Sequence, residues 1–283
     1  MTNPPAVSLV MCTYGRIDCI LRLINSLEAQ TCADFEFIIV DQNPPGYLSE
    51  IIARASEKLH VHYLRSTPGL SRARNVGIKH CRGSIIGFPD DDCWYPYNLI
   101  ARIISLFQNY VDLGIITGRT LDATGNESNS RFLSSSQPVT RANIWYSGNS
   151  NCIFVRTSVA TLIGGFNETL GVGSGTPFGS GEETDFVLRA LEKGVKIAFF
   201  HDLFTHHPQV DTILDASTMK RVISYSCGFG RVLQLNNYSI YHVLFRSARN
   251  FFGIILGLLK CDLRFAKFKW TLMINTLKGY FYP

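Results

Sequence analysis

Four short apolar runs, the first three each followed by a stretch with helical spacing, constrain the fold more than any other feature of the chain. Val7-Ser8-Leu9-Val10-Met11 predicts a strand and Cys12-Thr13-Tyr14-Gly15-Arg16 a turn. Ile17, Ile20, Leu21, Ile24 and Leu27 then share one face of a helix. Phe35 to Val40 predicts a buried strand ending at Asp41, residues 48–58 a helix, and Val61-His62-Tyr63-Leu64 a third strand. Ser71 is placed as the cap of a short helix that reaches Cys81 and is stopped by Gly83. The fourth strand, Ser84 to Phe88, is closed by Pro89, which has no N–H to give a ladder. This β-α-β-α-β-α-β order implies an α/β protein with a mostly parallel, doubly wound sheet.

Ligands of open α/β sheets bind beyond the carboxyl ends of the strands. There the chain places Asp90, Asp91 and Asp92, within Phe88-Pro89-Asp90-Asp91-Asp92-Cys93-Trp94. Crowded carboxylates repel one another unless a cation sits among them. Their hard oxygens suit Mg²⁺ or Mn²⁺, and such an ion attracts a diphosphate. Taken alone, three Asp residues favour a solvated acidic turn or a helix N-terminus; the surroundings reverse that.

After the triple Asp, residues 98–110 have helical spacing and Leu113 to Thr117 is a strand. Residues 120–150 are polar, a loop or hairpin region, and Cys152 to Val155 is strand-like. Residues 171–181 hold five glycines, a flexible loop of the sort that closes over a ligand. A helix from Glu183 to Lys193 stops at Gly194; a strand over 196–200 leads to Thr205-His206-His207-Pro208.

With these pieces in order, the chain resembles glycosyltransferase family 2, nucleotide-sugar-dependent enzymes of the GT-A fold. The matching residues are Val7 to Val10 with Thr13-Tyr14, Asp34 to Asp41, Ala73-Arg74-Asn75-Val76-Gly77, Phe88 to Asp92, Gly164-Gly165-Phe166 and Gly181-Glu182-Glu183-Thr184-Asp185. They cover roughly residues 7–208. The resemblance assigns Asp90 and Asp92 to the two Asp positions of a D-x-D motif, one on the metal and one on the ribose or a metal-bound water. Asp91 belongs to the same nucleotide-side cluster without a settled role. Thr13, Tyr14 and Asp41 are expected around the base and ribose, with Arg74 and Asn75 on the nucleotide side and Arg72 solvated. Gln42 stands where many relatives have an Asp; its amide both donates and accepts, which is compatible with uracil. The general base is expected in the pair Glu182–Glu183, with Glu183 first, although Ser180-Gly181-Glu182-Glu183 also fits a capping box. His206 or His207 is expected to complete the metal shell, with nothing to separate the two.

Charge divides the chain. Residues 216–283 hold ten Lys or Arg and one acid, Asp262, a net +9 within an overall +5; the first 215 residues carry −4. A boundary is therefore expected near Asp211 to Ser217, separating a GT-A domain (1–215) from a basic, aromatic-rich helical region (216–283). The nine apolar residues Phe251 to Leu259 are too few to span a bilayer. Residues 261–279 interleave Lys with aromatics as interfacial helices do. An anionic membrane surface is the expected partner, and nucleic acid is not, since no recognition motif accompanies the charge. At 46% hydrophobic and 17% charged, the chain is globular. Met1 to Pro5 lack the basic-then-apolar pattern of a signal peptide, and eight cysteines without C-x-x-C spacing suit a reducing cytoplasm.

The expectation is a metal-dependent, inverting glycosyltransferase. It takes a nucleoside-diphosphate sugar, UDP-linked by preference, and a glycan or lipid-linked glycan acceptor of bacterial surface polysaccharide assembly. It works at the inner face of the cell membrane. A sugar-phosphate nucleotidyltransferase is the competing class, but residues 12–16 lack its Gly-rich phosphate loop; a non-catalytic nucleotide- or glycan-binding protein is the third.

Overall fold

The computed structural model describes residues 3–128, 130–209 and 216–283. The chain forms two compact units: Met1–Pro68, Arg72–Phe166 and Phe186–Val210 in the first; Gly69–Ser71, Asn167–Asp185 and Asp211–Pro283 in the second. Most of the expected boundary, residues 211–215, lies outside the described residues.

The first unit carries an eight-stranded sheet in the order β3-β2-β1-β4-β7-β5-β8-β6. Strands β1 (Val7–Thr13), β2 (Phe35–Asp41), β3 (Val61–Arg65) and β4 (Ile85–Gly87) run parallel, as β-α alternation requires. Strand β7 (Ile153–Arg156) is reversed between β4 and β5 (Leu113–Leu121), an inversion not foreseen from the apolar pattern. Strand β8 (Lys196–His206) runs parallel to β5, and β6 (Gln137–Pro138) is antiparallel to it. The sheet is mostly parallel.

Helix α1 (Ile20–Glu28) buries Ile20, Leu23, Ile24 and Leu27, the i, i+3, i+4, i+7 set. Leu21, expected inward, is 39% exposed, because the helix begins at Ile20 and Leu23 holds the inward position. Helix α2 spans Ser49–Ser56, and α4 (Leu99–Asn109) seats Leu99, Ile100, Ile103 and Phe107 in the core. Helix α3 (Leu70–Ile78) crosses β1 at Gly77, where a Cβ would stand 2.2 Å from Val10 Cγ1. Ser71 is the second residue of α3, not its cap, and its hydroxyl donates to Leu170 O at 2.7 Å. Helix α5 spans Thr157–Leu162, and α6 (Glu182–Glu192) starts at the acidic pair. Strand β8 continues past Phe200, its expected end, to His206. A register shift between Thr117 and Arg119 of β5 absorbs the irregular residues, and pairing resumes at Phe204.

The second unit is built on α7 (Ala216–Leu235), α8 (Ile240–Leu259) and α9 (Leu263–Tyr280). Helices α7 and α9 cross where a Cβ on Gly230 would stand 2.0 Å from Thr276 O and one on Gly279 2.0 Å from Cys227 O. Larger residues at either position would force the helices apart. Asp262 caps α9, accepting from Phe265 N at 2.9 Å. The glycine-rich loop is tied to α7: Gly179 N donates to Ser224 O and the Ser180 hydroxyl to Tyr225 O. Among the described residues, no helix is long and apolar enough to cross a membrane.

Candidate active site

The carboxyl ends of β1, β2 and β4 and the end of β8 converge in the first unit, and the three aspartates point three ways. Asp90 Oδ1 lies 3.2 Å from Arg74 Nη2 and within 3.4 Å of the Ser150 hydroxyl. Arg74 is 2% exposed and its guanidinium sits 5.2 Å from the Phe166 ring. Asp91 is buried and accepts from Thr13 Oγ1 at 2.7 Å and Arg16 Nη1 at 3.0 Å. Asp92 pairs with the same Arg16 nitrogen and, through Oδ1, with His207 Nε2 at 3.0 Å.

Burial pushes the Asp91 carboxyl up to about 6, against the pull of Thr13 and Arg16. Burial acts on Asp92 in the same sense, but His207 and Arg16 outweigh it and hold its carboxyl below the usual range. For His207, burial disfavours the cation, yet the Asp92 hydrogen bond and charge prevail and raise the pKa. Arg16 thus stands as a cation between two carboxylates. Two carboxylate groups and an imidazole are a donor set that suits a hard divalent ion.

The paired histidines part company here. His206 exchanges both backbone hydrogen bonds with Trp94, and its ring stacks on the indole at 5.0 Å with 8° between planes. Only the next residue, His207, reaches Asp92.

Asp41, at the end of β2, accepts from Asn43 N, Asn43 Nδ2 and the Tyr63 hydroxyl, all within 2.9 Å. Gln42 is buried, its Nε2 3.5 Å from Thr13 O. Tyr14 is 61% exposed. Asn75, expected on the nucleotide side, spends its amide on Phe166: Nδ2 donates to the carbonyl at 2.9 Å and Oδ1 accepts from N–H at 2.7 Å. The neighbouring Gly165 has φ +76°, and a Cβ there would stand 2.5 Å from Asn75 Oδ1. That explains Gly164-Gly165-Phe166 as a clamp on α3. Arg72 donates to Pro68 O at 2.8 Å.

Three contributors were missed from sequence: Arg16, Asn43 and Ser150. Asn43 Oδ1 accepts from Gly15 N at 2.6 Å, tying the turn after β1 to the end of β2. The polar triplet Asp41-Gln42-Asn43 directly after a buried strand was the available signal. Cys12 is inert beside this group, since burial pushes its thiol up to about 12.

In the second unit, Glu182, Glu183 and Asp185 form the first turn of α6. Glu182 is 5% exposed and Glu183 half-buried. A Cβ on Gly171 would stand 3.1 Å from both the Glu182 carboxylate and the Ser71 hydroxyl, so that carboxylate is packed against backbone. Asp185 Oδ1 accepts from Asn236 Nδ2 at 3.0 Å.

Residues 8–162 match the model of "Glycosyl transferase family 2". The uncharacterized glycosyltransferase EpsJ of Bacillus subtilis is 34% identical over 113 residues, 38% of the chain and 33% of EpsJ. The chain thus spans about a third of that relative's length. The S. aureus TarS 1–349 structure in complex with UDP-GlcNAc has a TM-score of 0.62 at 15% identity, covering 98% of the chain and 93% of TarS 1–349. The Pyrobaculum calidifontis mannosyltransferase PcManGT, solved with GDP-Man and Mn²⁺, has a TM-score of 0.63 at 14% identity, covering 98% and 88%.

Proposed function

The chain belongs to glycosyltransferase family 2, and on that footing we propose that it moves a hexosyl unit from a nucleoside-diphosphate sugar to an acceptor hydroxyl with inversion. UDP-sugars are the preferred donor class. The acceptor is a glycan or lipid-linked glycan of surface polysaccharide assembly, a reading that rests on family resemblance. The observation that carries the proposal is the meeting of Asp91, Asp92, Arg16 and His207 at the acidic turn after β4, with the neighbouring Asp90 held by Arg74. A nucleotidyltransferase would need a phosphate-cradling loop at residues 12–16, where Thr13 and Arg16 instead hold Asp91.

Asp90, Asp92 and His207 are the groups that would hold a divalent ion, Mn²⁺ or Mg²⁺, which when bound supplies positive charge to the departing diphosphate. Arg74, fixed between Asp90 and Phe166, orients the Asp90 carboxylate. Glu183, the less buried of the acidic pair, takes the acceptor proton as the acceptor oxygen bonds to the anomeric carbon and the sugar–phosphate bond breaks. Glu182, packed against Gly171, positions that turn. Thr13, Tyr14, Asp41, Gln42 and Asn75 shape the nucleotide side, Asn75 by clamping Phe166.

The proposal extends to a peripheral position on the cytoplasmic face of an anionic membrane. Its support is α8, where Tyr241, Phe245, Phe252 and Leu259 are 79%, 80%, 68% and 78% exposed. Exposed apolar side chains at this spacing, within a +9 segment, fit an anionic interface. The deciding experiment incubates the protein with UDP-, GDP-, dTDP- and CMP-sugars, Mn²⁺ and a panel of glycan and lipid-linked glycan acceptors. It should release one nucleotide in step with transfer and give a product of inverted anomeric configuration. Retention, or nucleotide exchange without transfer, overturns the reading.

A further inference from the structure

At the opposite end of the sheet from the acidic turn, three Lewis bases converge. Glu36 is the second residue of β2 and fully buried; His60 immediately precedes the edge strand β3 and His62 is its second residue. The β2–β3 register sets Phe37 against Val61 and so puts Glu36 opposite His60. Residues two apart on a strand share a face, so both imidazoles lie over the glutamate. One oxygen or nitrogen from each lies within 4.8 Å of the others, and the two rings meet edge-on at 4.8 Å.

Arg82 occupies the point of convergence. Its Nη2 lies 2.7 Å from His60 Nε2 and 3.2 Å from His62 Nε2, and its Nε donates to Glu36 Oε2 at 2.8 Å. A guanidinium only donates hydrogen bonds, so the close contact at His60 Nε2 is one in which the imidazole presents a lone pair. His62 Nε2 also lies 3.3 Å from Glu36 Oε2, so the candidate ligand atoms face one another directly. The carboxylate is preorganised too: Oε1 accepts from Ser8 Oγ at 2.6 Å and Arg82 N at 2.7 Å, which leaves Oε2 to the cation. The Arg82 side chain is 45% exposed and can turn into solvent without disturbing either Oε1 bond.

We infer that Glu36, His60 and His62 form a second cation site, distinct from the acidic turn, that takes a borderline divalent transition-metal ion of the Zn²⁺ class in exchange for the Arg82 guanidinium. Two imidazole nitrogens and one carboxylate oxygen, with water completing the shell, select Zn²⁺, Co²⁺ or Ni²⁺ over Mg²⁺. The ion joins the edge strand to β2 at the end of the sheet remote from transfer chemistry.

The test is Zn²⁺ and Co²⁺ titration of the full chain against a chromophoric chelator. Wild type should bind one ion that survives Asp92→Asn, a substitution that silences the acidic turn. His60→Ala and His62→Ala, both at the surface edge, should each weaken that event by about 10–100-fold or more, the cost seen even for loss of outer-shell partners. Arg82→Ala removes the competing cation and should tighten binding, with a metal-dependent rise in Tm larger than in wild type. Circular dichroism checks that each variant is folded. If Arg82→Ala does not fold without metal, the histidine variants decide alone. Binding unchanged in His60→Ala and His62→Ala, or abolished by Asp92→Asn, overturns the site.

Discussion

His207 Nε2 lies 3.0 Å from Asp92 Oδ1, joining the segment after β8 to the turn after β4. The two residues come together only because β8 resumes pairing with β5 beyond its irregular stretch. His207→Ala should therefore lower Mn²⁺ affinity by about tenfold or more. His206→Ala should leave it within about twofold and instead cost about 0.5–1.5 kcal/mol of stability through the lost Trp94 stack. Isothermal titration and thermal melts separate the two; equal metal loss in both variants contradicts the assignment.

Asp92→Asn should abolish transfer while the fold persists, and EDTA should inhibit the wild type reversibly. Activity that survives either treatment rules out a metal held by this turn.

Glu183→Gln retains the side chain's shape but cannot accept a proton. Donor binding should persist while kcat falls by about 10²–10⁴-fold. The assay compares Glu182→Gln directly: a dead Glu182→Gln beside an active Glu183→Gln reverses the roles.

Asp91 links stability to pH. Its carboxyl ionises near 6 in the folded chain and near the ordinary 3.8 when unfolded. The contribution is thus fully present below about pH 4 and is lost as pH rises through about 6. Asn mimics the protonated form, so Asp91→Asn should gain stability on wild type between pH 4 and 7, by about 1–3 kcal/mol at most. Denaturant melts in EDTA across that range measure it; a gain independent of pH refutes the burial account.

Phe245→Ser with Phe252→Ser should reduce sedimentation with anionic liposomes without altering donor binding, since both side chains are exposed. Salt should release part of the wild-type binding, because screening removes charge attraction but not apolar burial. Equal binding to neutral liposomes would refute the electrostatic part.

The parallel half of the sheet was legible because each buried run ends in a polar or acidic residue and is followed by a helix-period stretch. Helix α1 shows the limit: Leu21 and Leu23 are equally apolar, and only the start of the helix decides which faces inward. The acidic turn was legible from composition, its partners were not. Arg16 and Asp91 are 75 positions apart, and no periodicity links a turn residue to a distant carboxylate. Asn75 was read by motif as a ligand contact, whereas its amide is engaged with Phe166. In the helical tail, residues 261–279 were read as interfacial in pattern beside the apolar run 251–259, and α9 keeps Leu263 and Trp270 exposed. On its other side α9 buries Ala266, Thr271, Asn275, Thr276 and Gly279, while α8 presents the larger apolar surface.

The reversal of β7 has a consequence for how such a scaffold changes its substrates. Because β5 runs with β4 and β7 runs against both, the exit of β5 and the entrance of β7 open on the same edge as Asp90, and Ser150 arrives there from the entrance side. The connection of residues 122–152 therefore begins and ends at the chemistry, lending β6 to the edge of the sheet on the way. Each doubling of such a loop costs only about 0.6 kcal/mol in closure entropy. Insertions, deletions or grafts in this segment can rewrite what is held beside Asp90 while the strands that carry the aspartates keep their register.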